Sequence, residues 1–372
     1  MKTLNTKNNR WTGGICSIKE LKKQIRLTPK EEKEMEEVVK IHPMLISNYY
    51  LSLINKKDRH DPIRKMIVPS GKELITAGSY DTSGEHRNTK MPGLQHKYRQ
   101  TAFILATNRC AAYCRFCFRK RLVGLSDKEV IRRFDKAVSY IKKHKEINNV
   151  LISGGDPFVL PTKVLKTFLE KLLPIKHLDF IRFGTRTPVT FPQRIINDQS
   201  LLKLLKKYSV RGRHIYVVTH FNHPKEITKY SQKAIDLLQN ANVQIHNQAV
   251  LLKGVNDNPD TLAKLINKLI KIDVLPYYVF QCRPVKRVKN HFQVPLYRGF
   301  KIFKEAKSKI KGHIICKRLK YIMSHRTGKI EIIGILKDRI YFKYHHAKNS
   351  KDTSRLFSQK LNKTAGWLDE LE

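Results

Sequence analysis

Short apolar runs alternate with amphipathic stretches between Thr101 and Gln281, and this alternation constrains the fold more tightly than any other feature of the chain. Apolar runs bounded by turn residues read as buried strands, whereas apolar residues recurring with the helical period read as helices packed on one face. The runs Thr101–Thr107, Asn149–Ser153, Leu178–Gly184, His214–Thr219, Val243–Leu252 and Leu275–Gln281 predict six strands. Between the first two, Asp127–His144 sets Val130, Ile131, Phe134, Ala137, Val138 and Ile141 on one face behind a Ser126-x-x-Glu129 cap. Thr162–Leu173, Arg194–Tyr208, Lys225–Ala241 and Asp260–Ile272 repeat the theme. Strand-helix repetition forces a parallel sheet, because parallel neighbours need a crossover connection. Six units are too few for a closed barrel of the eight-stranded kind, so the expected class is α/β, a partial (βα)6 TIM-like barrel with its working face at the carboxyl ends of the strands.

Extensions flank this core, and the expected division is 1–96, 97–294 and 295–372. In the first, Thr28-Pro29-Lys30-Glu31 reads as a capping box with proline in the first turn, followed by Met35, Val38, Val39 and Ile41 at helical spacing, and Ser79–Gly93 reads as an irregular connector. In the last, a helix is expected from Pro295 to about Ile310, with β-like pieces at Ile330–Ile335 and Arg339–Tyr344; the final thirty residues are expected to pack on the barrel or to mediate homo-oligomer formation. No apolar run reaches about eighteen residues, and Met1–Glu20 has no signal-peptide core, which predicts a cytoplasmic protein.

Lysine and arginine number 74 against 31 acidic residues, a net charge of +43. Such a balance admits nucleic acid or another polyanion as a partner. The basic residues are spread along the chain, densest from Lys301 to Lys329, with no aromatic-interleaved RNA-binding pattern, so charge leaves the reaction open.

Three of the six cysteines fall within eight residues, as Cys110-Ala-Ala-Tyr-Cys114-Arg-Phe-Cys117, directly after the first predicted strand. That spacing is too tight for a secreted disulfide framework and points to a metal. Three thiolates can hold three irons of a cubane cluster and leave the fourth open to chelate a small molecule. A structural zinc site is the competing reading; it needs a fourth ligand, and His220 and His223 could supply one only across the barrel mouth. The second predicted strand runs into Ser153-Gly154-Gly155-Asp156-Pro157, either a tight turn or a loop whose glycines let backbone approach a ligand.

The C-x3-C-x2-C arrangement with the following glycine pair resembles the radical SAM superfamily, which splits S-adenosylmethionine (SAM) at a [4Fe–4S] cluster; Gly154, Gly155 and Asp156 match its SAM-binding segment. Longer stretches, among them Tyr49-Tyr50-Leu51-Ser52-Leu53-Ile54, Arg186-Thr187-Pro188-Val189, Thr219-His220-Phe221-Asn222-His223-Pro224 and Gly254-Val255-Asn256-Asp257, are similar to the lysine 2,3-aminomutase family in consistent order over roughly residues 20–335. The resemblance implies pyridoxal 5′-phosphate (PLP) as well, an amino group moved from C2 to C3 through a 5′-deoxyadenosyl radical, and a one-electron reductant of the flavodoxin or ferredoxin type. It assigns Lys329, in Thr327-Gly328-Lys329-Ile330-Glu331, to PLP and Arg119 to the substrate α-carboxylate. Arg186 and Tyr98 become neighbours of PLP or its phosphate, and His220 and Gln248 candidates for the SAM pocket, with a structural role the alternative for the last two.

One position departs from the pattern. After Gln281-Cys282 the lysine-specific members carry an aspartate for the distal ammonium of the substrate, and this chain has Arg283; nor does an acidic residue occur in Tyr321-Ile322-Met323-Ser324-His325. Cation beside cation costs Coulomb energy, so glutamate, a neutral amino acid or a protein-held lysine are open as substrates. Radical modification of RNA and a non-catalytic iron–sulfur interaction protein are the rival functions, distinguished by the absence of PLP.

Overall fold

The computed structural model describes residues 13–311 and 318–371; Cys316 and the first part of Met1–Glu20 lie outside them. Twelve strands form one sheet in sequence order: β1 (Thr89–Met91), β2 (Leu94–Tyr98), β3 (Thr101–Thr107), β4 (Asn149–Gly154), β5 (Phe180–Gly184), β6 (Ile215–Thr219), β7 (Gln244–Leu251), β8 (Leu275–Gln281), β9 (Lys320–His325), β10 (Gly328–Leu336), β11 (Arg339–Ala347) and β12 (Leu356–Lys360). Pairing is parallel from β3 through β9 and antiparallel in the hairpins at either end.

All six expected strands form, and the partial barrel is the architecture observed. A seventh parallel strand, β9, was not anticipated. Its apolar core is only Tyr321-Ile322-Met323 between polar flanks, too short to announce itself, and its pairing with β8 gives it a place. The sheet ends are brought together by side chains: Lys97 Nζ donates to the carbonyl of His325 at 2.6 Å, and the Tyr98 ring meets His346 at 5.8 Å. Strand β2 spans residues 96 and 97, so the sheet runs without a break from the N-terminal extension into the core.

Helices cover the outer face. Thr162–Leu172 buries Leu165, Phe168, Leu169 and Leu172, the stripe its periodicity dictates. Two expectations need correction. The helix foreseen from Asp127 starts at Phe134, because Ile131 donates its amide to Leu105 and packs against Gly93, which draws the chain onto the sheet edge. Glu129, the supposed capping residue, instead pairs with Arg121. Arg194–Tyr208 is split into Gln193–Ile196 and Gln199–Tyr208, since the Asp198 carboxylate accepts the Leu201 amide and starts a new helix. The Thr28 capping box forms as read and opens Pro29–Ile41. The helix expected after Pro295 spans Leu296–Ser308.

The N-terminal extension is welded to the barrel by buried polar contacts, notably Tyr50 Oη donating to Glu226 at 2.6 Å and Arg115 donating to Glu73 at 2.7 Å. The tail packs on the barrel too: Trp367 is buried, and Gln281 Nε2 donates to the carbonyl of Gly366 at 2.7 Å. Among the described residues no helix is long and apolar enough to cross a membrane.

Candidate active site

The carboxyl ends of the strands surround a cavity of about 360 Å³ lined by Cys110, Cys114, Cys117, Gly154, Gly155, Asp156, Tyr98, Arg119, Arg186, His220, Gln248, Arg283 and Lys329, whereas His223, the other histidine weighed as a zinc ligand, is not among its lining residues.

The cysteines follow β3 on a loop braced from behind. The Arg115 and Lys120 side chains, between and after the cysteines, both reach the buried carboxylate of Glu73. In front, the glycine pair lets the β4 loop close on this one: the Gly155 amide donates to Thr107 O at 2.5 Å, and a Cβ on Gly155 would lie 2.2 Å from Arg109 O. Gly154 has φ +113°, a conformation that side-chain-bearing residues avoid. The close approach these glycines allow is to the cysteine loop's own backbone. Asp156 also lines the cavity, with its oxygens engaged by Thr185 Oγ1 at 2.5 Å, Phe158 N at 3.0 Å and Arg186 N at 2.7 Å, so it buttresses two strand ends.

Arg186 was expected beside PLP. The structure commits its guanidinium elsewhere: to Cys114 Sγ, to Tyr50 Oη at 2.8 Å, to the carbonyl of His220 at 3.1 Å and to Glu226. It therefore stands at the cysteine end. Its own desolvation is outweighed by Cys114, Tyr50 and Glu226 around it, which keep it firmly cationic. His220 stacks edge-on against Phe116, and its Nε2 has no hydrogen-bond partner among the described residues; burial and then Arg186 push its pKa down to about 3, so the ring is neutral.

At the other end, Lys329 stands on β10 with Nζ 4.9 Å from the centre of the Tyr278 ring. Protein encloses the amine while the cavity leaves it accessible. Burial, reinforced by Arg182, Lys97 and Arg283, pulls its pKa down to about 7. Arg119 and Arg283 flank one ring, their guanidinium carbons 4.2 Å and 4.3 Å from the centre of Phe118. Arg119 is also 4.5 Å from Phe103 and pairs with Glu85 at 3.4 Å; Arg283 donates to Ser324 Oγ at 2.9 Å.

Sequence reasoning missed Glu85, Lys97, Arg182, Ser324 and His346, all of which line the cavity. Glu85 sits in what read as an irregular connector, and the others carry no local signature.

Comparison with known proteins bears on this arrangement. Residues 104–266 match the Radical SAM superfamily. Over 304 residues the chain is 40% identical to L-lysine 2,3-aminomutase of Clostridium subterminale, covering 81% of this chain and 71% of that one. The chain belongs to the lysine 2,3-aminomutase family. Within that family it is also 38% identical, over 83% of its length and 72% of the relative's, to glutamate 2,3-aminomutase of Clostridioides difficile (strain 630). A relative from Aquifex aeolicus (strain VF5), provisionally named for L-lysine 2,3-aminomutase, is 39% identical over 94% of this chain and 93% of its own. The family uses a [4Fe–4S] cluster, SAM and PLP, and these relatives do not favour the RNA-modifying or the non-catalytic reading.

The residues present fit those groups. Three sulfur donors on one loop face the cavity, the donor set of a cluster with an open iron, whereas the fourth lining cysteine, Cys282, stands apart from that loop after β8, buried with its Sγ 3.8 Å from the Arg283 carbonyl. Burial raises the Cys110 thiol well above its usual range and Cys117 up to about 11, so a cation must displace their protons, as iron does. The unpartnered His220 Nε2 offers a polar contact beside them, and an amine held near neutrality suits covalent attachment of an aldehyde.

Proposed function

We propose that the chain is a radical SAM, PLP-dependent 2,3-aminomutase acting on an α-amino acid whose side chain carries a second negative charge. The observation that carries the reading is that the three cysteines and the low-pKa amine of Lys329 line one cavity of about 360 Å³. When bound, the cluster with SAM supplies a hydrogen-abstracting radical, and PLP supplies the carbonyl that carries the migrating nitrogen.

Charge supports the substrate class. Four arginines, Arg119, Arg182, Arg186 and Arg283, line the cavity together with Lys97 and Lys329, two lysines whose pKa burial pulls down to about 7, against Glu85 and Asp156. Arg186 is matched by Glu226, and Glu85 is shared between Arg119 and Arg121. Lys97, Arg182, Arg283 and Lys329 have no carboxylate partner within ion-pair distance among the described residues. A phosphate and an α-carboxylate answer part of that excess, and a distal carboxylate at Arg283 answers the rest. An ammonium at about 5 Å from Arg283 would cost roughly 3 kcal/mol at an effective dielectric of ~20.

Each residue then has a task. Arg119, clamped by Glu85 and stacked on Phe103 and Phe118, presents a fixed fork to the α-carboxylate. The free base of Lys329 provides the lone pair that captures an aldehyde. Arg186 donates to Cys114 Sγ and holds that side chain in place at the cysteine end of the cavity. His220, neutral, can hydrogen-bond without adding charge. Phe103, Phe118, Val250 and Phe280 keep water from the reacting carbon. A flavodoxin- or ferredoxin-type carrier completes the scheme, and the net charge of +43 favours an acidic one.

The test is anaerobic incubation of reconstituted protein with SAM, a reductant and a panel of α-amino acids, read by mass spectrometry for β-isomers. A dicarboxylic amino acid should turn over ahead of lysine. Preference for lysine would overturn the substrate class, and absence of both β-isomers and 5′-deoxyadenosine would overturn the whole reading.

A further inference from the structure

Outside the cavity lining, three metal-ligand side chains converge where β2 meets the helix Phe134–Lys143. His96 lies on β2, His144 caps the C-terminus of the helix, and Glu146 follows two residues later; one ligand atom from each lies within 4.8 Å of the other two. We propose that His96, His144 and Glu146 form a binding site for a divalent cation of the zinc type.

Two imidazoles with one carboxylate suit a borderline transition ion, whereas magnesium and calcium prefer an all-oxygen shell. Three protein ligands leave one tetrahedral position for water. With bonds of ~2.1 Å a tetrahedral site has edges of about 3.4 Å, so the observed spacing closes through small side-chain movements. Such movements are available here, because the His144 and Glu146 side chains are 37% and 33% exposed. The same exposure gives a cation a path from solvent.

The hydrogen bonds select the ligand atom on His96. Its Nε2 lies 3.0 Å from the carbonyl of Arg99, which can only accept, so Nε2 carries the proton and Nδ1 presents the lone pair. An imidazole whose far nitrogen donates to a backbone carbonyl is oriented as metal-bound histidines are. The Tyr140 hydroxyl stands 3.0 Å from that Nδ1, and the Tyr140 ring stacks on His144 at 4.0 Å, so the hydroxyl occupies the ground a cation would take. Glu146 is already drawn in, with Oε1 2.8 Å from His144 Nδ1, and supplies the one negative charge. Lys142, Lys143 and Lys145 flank the site in sequence, but they are exposed and their repulsion is screened by solvent and salt.

The consequence reaches the cavity. Lys97 and Tyr98 follow His96 directly and line the enclosure around Lys329, so a cation bridging β2 to the helix end would fix the strand that presents them.

Equilibrium dialysis of cluster-loaded protein against low micromolar zinc chloride under argon, with zinc and iron counted by mass spectrometry, tests the site. One zinc per chain should be retained beyond the full iron content. Affinity should fall at least ~10-fold in His144→Gln and in Glu146→Gln with iron unchanged, and Tyr140→Phe should retain the zinc. Glu146→Gln alters a half-buried position and keeps shape, so it decides the matter if the histidine variant does not fold. Zinc absent from the native protein, zinc equally bound by both variants, or zinc gained only as iron is lost would each refute the site.

Discussion

Glu73 offers the sharpest test of how the cysteine loop is held. Its side chain is fully buried, and it accepts from Arg115 Nε at 2.9 Å, Arg115 Nη2 at 2.7 Å and Lys120 Nζ at 2.5 Å. Burial alone would raise its pKa, but Arg115 and Lys120 outweigh burial and hold it at about 2 against an ordinary 4.5. Lys120 does not gain in return: burial and Arg115 outweigh Glu73 and pull the ammonium down to about 8, so the stabilisation is weighted to the carboxylate. The gap between 4.5 and about 2 converts, at ~1.4 kcal/mol per tenfold change in proton affinity, to roughly 3 kcal/mol. Removing one member of a buried ion pair costs a similar ~3–5 kcal/mol. Glu73→Gln should therefore destabilise the fold by about 3 kcal/mol at pH 7. Because the folded-state pKa is depressed, this contribution is complete above pH 4.5 and fades as pH falls toward 2, where protonated Glu73 resembles glutamine. Urea unfolding of metal-free native and variant protein, followed by circular dichroism across this range, measures the difference. A loss under about 1 kcal/mol at pH 7, or one that stays constant into acid, would refute the reasoning.

Three further outcomes follow from the geometry. Lys329→Ala should abolish PLP absorbance and leave iron content unchanged; in the native protein the rate of PLP attachment should rise through about pH 7 and then level, and a midpoint near 10.5 would show an unperturbed lysine. Arg283→Glu should turn a repulsion of roughly 3 kcal/mol toward a distal ammonium into attraction, shifting the turnover ratio of lysine to dicarboxylic amino acid by about 100-fold or more toward lysine, measured by competition. Gly155→Ala places a Cβ against Arg109 O and should cost about 1–3 kcal/mol while lowering iron per chain, assayed by iron content of reconstituted protein.

Much of this was legible in the chain because the signals are local. Strand runs are contiguous, and the cysteine triplet and glycine pair each occupy one loop, so a linear reading finds them. Other features were hidden for physical reasons. The docking of Ile131 on Leu105 and Gly93 overrode a helical pattern that ignored tertiary contact. Strand β9 owes its existence to its neighbour β8. Nothing near Arg186 could show that Glu226, forty residues on, and Tyr50, from the extension, would draw its guanidinium to the cysteine end.

By itself the sequence determined the strand-helix alternation, the three-sulfur donor set and the candidates for amine and carboxylate clamp, since these depend on residue type at short spacing. Tertiary structure alone decided which charges share the enclosure. Glu85, Lys97, Arg182 and Ser324 converge only when the sheet curls and β2 closes against the turn at His325, and that closure also lowers the Lys329 pKa. Proton affinity depends on desolvation and on neighbours brought from remote segments, and these exist only once the chain has packed.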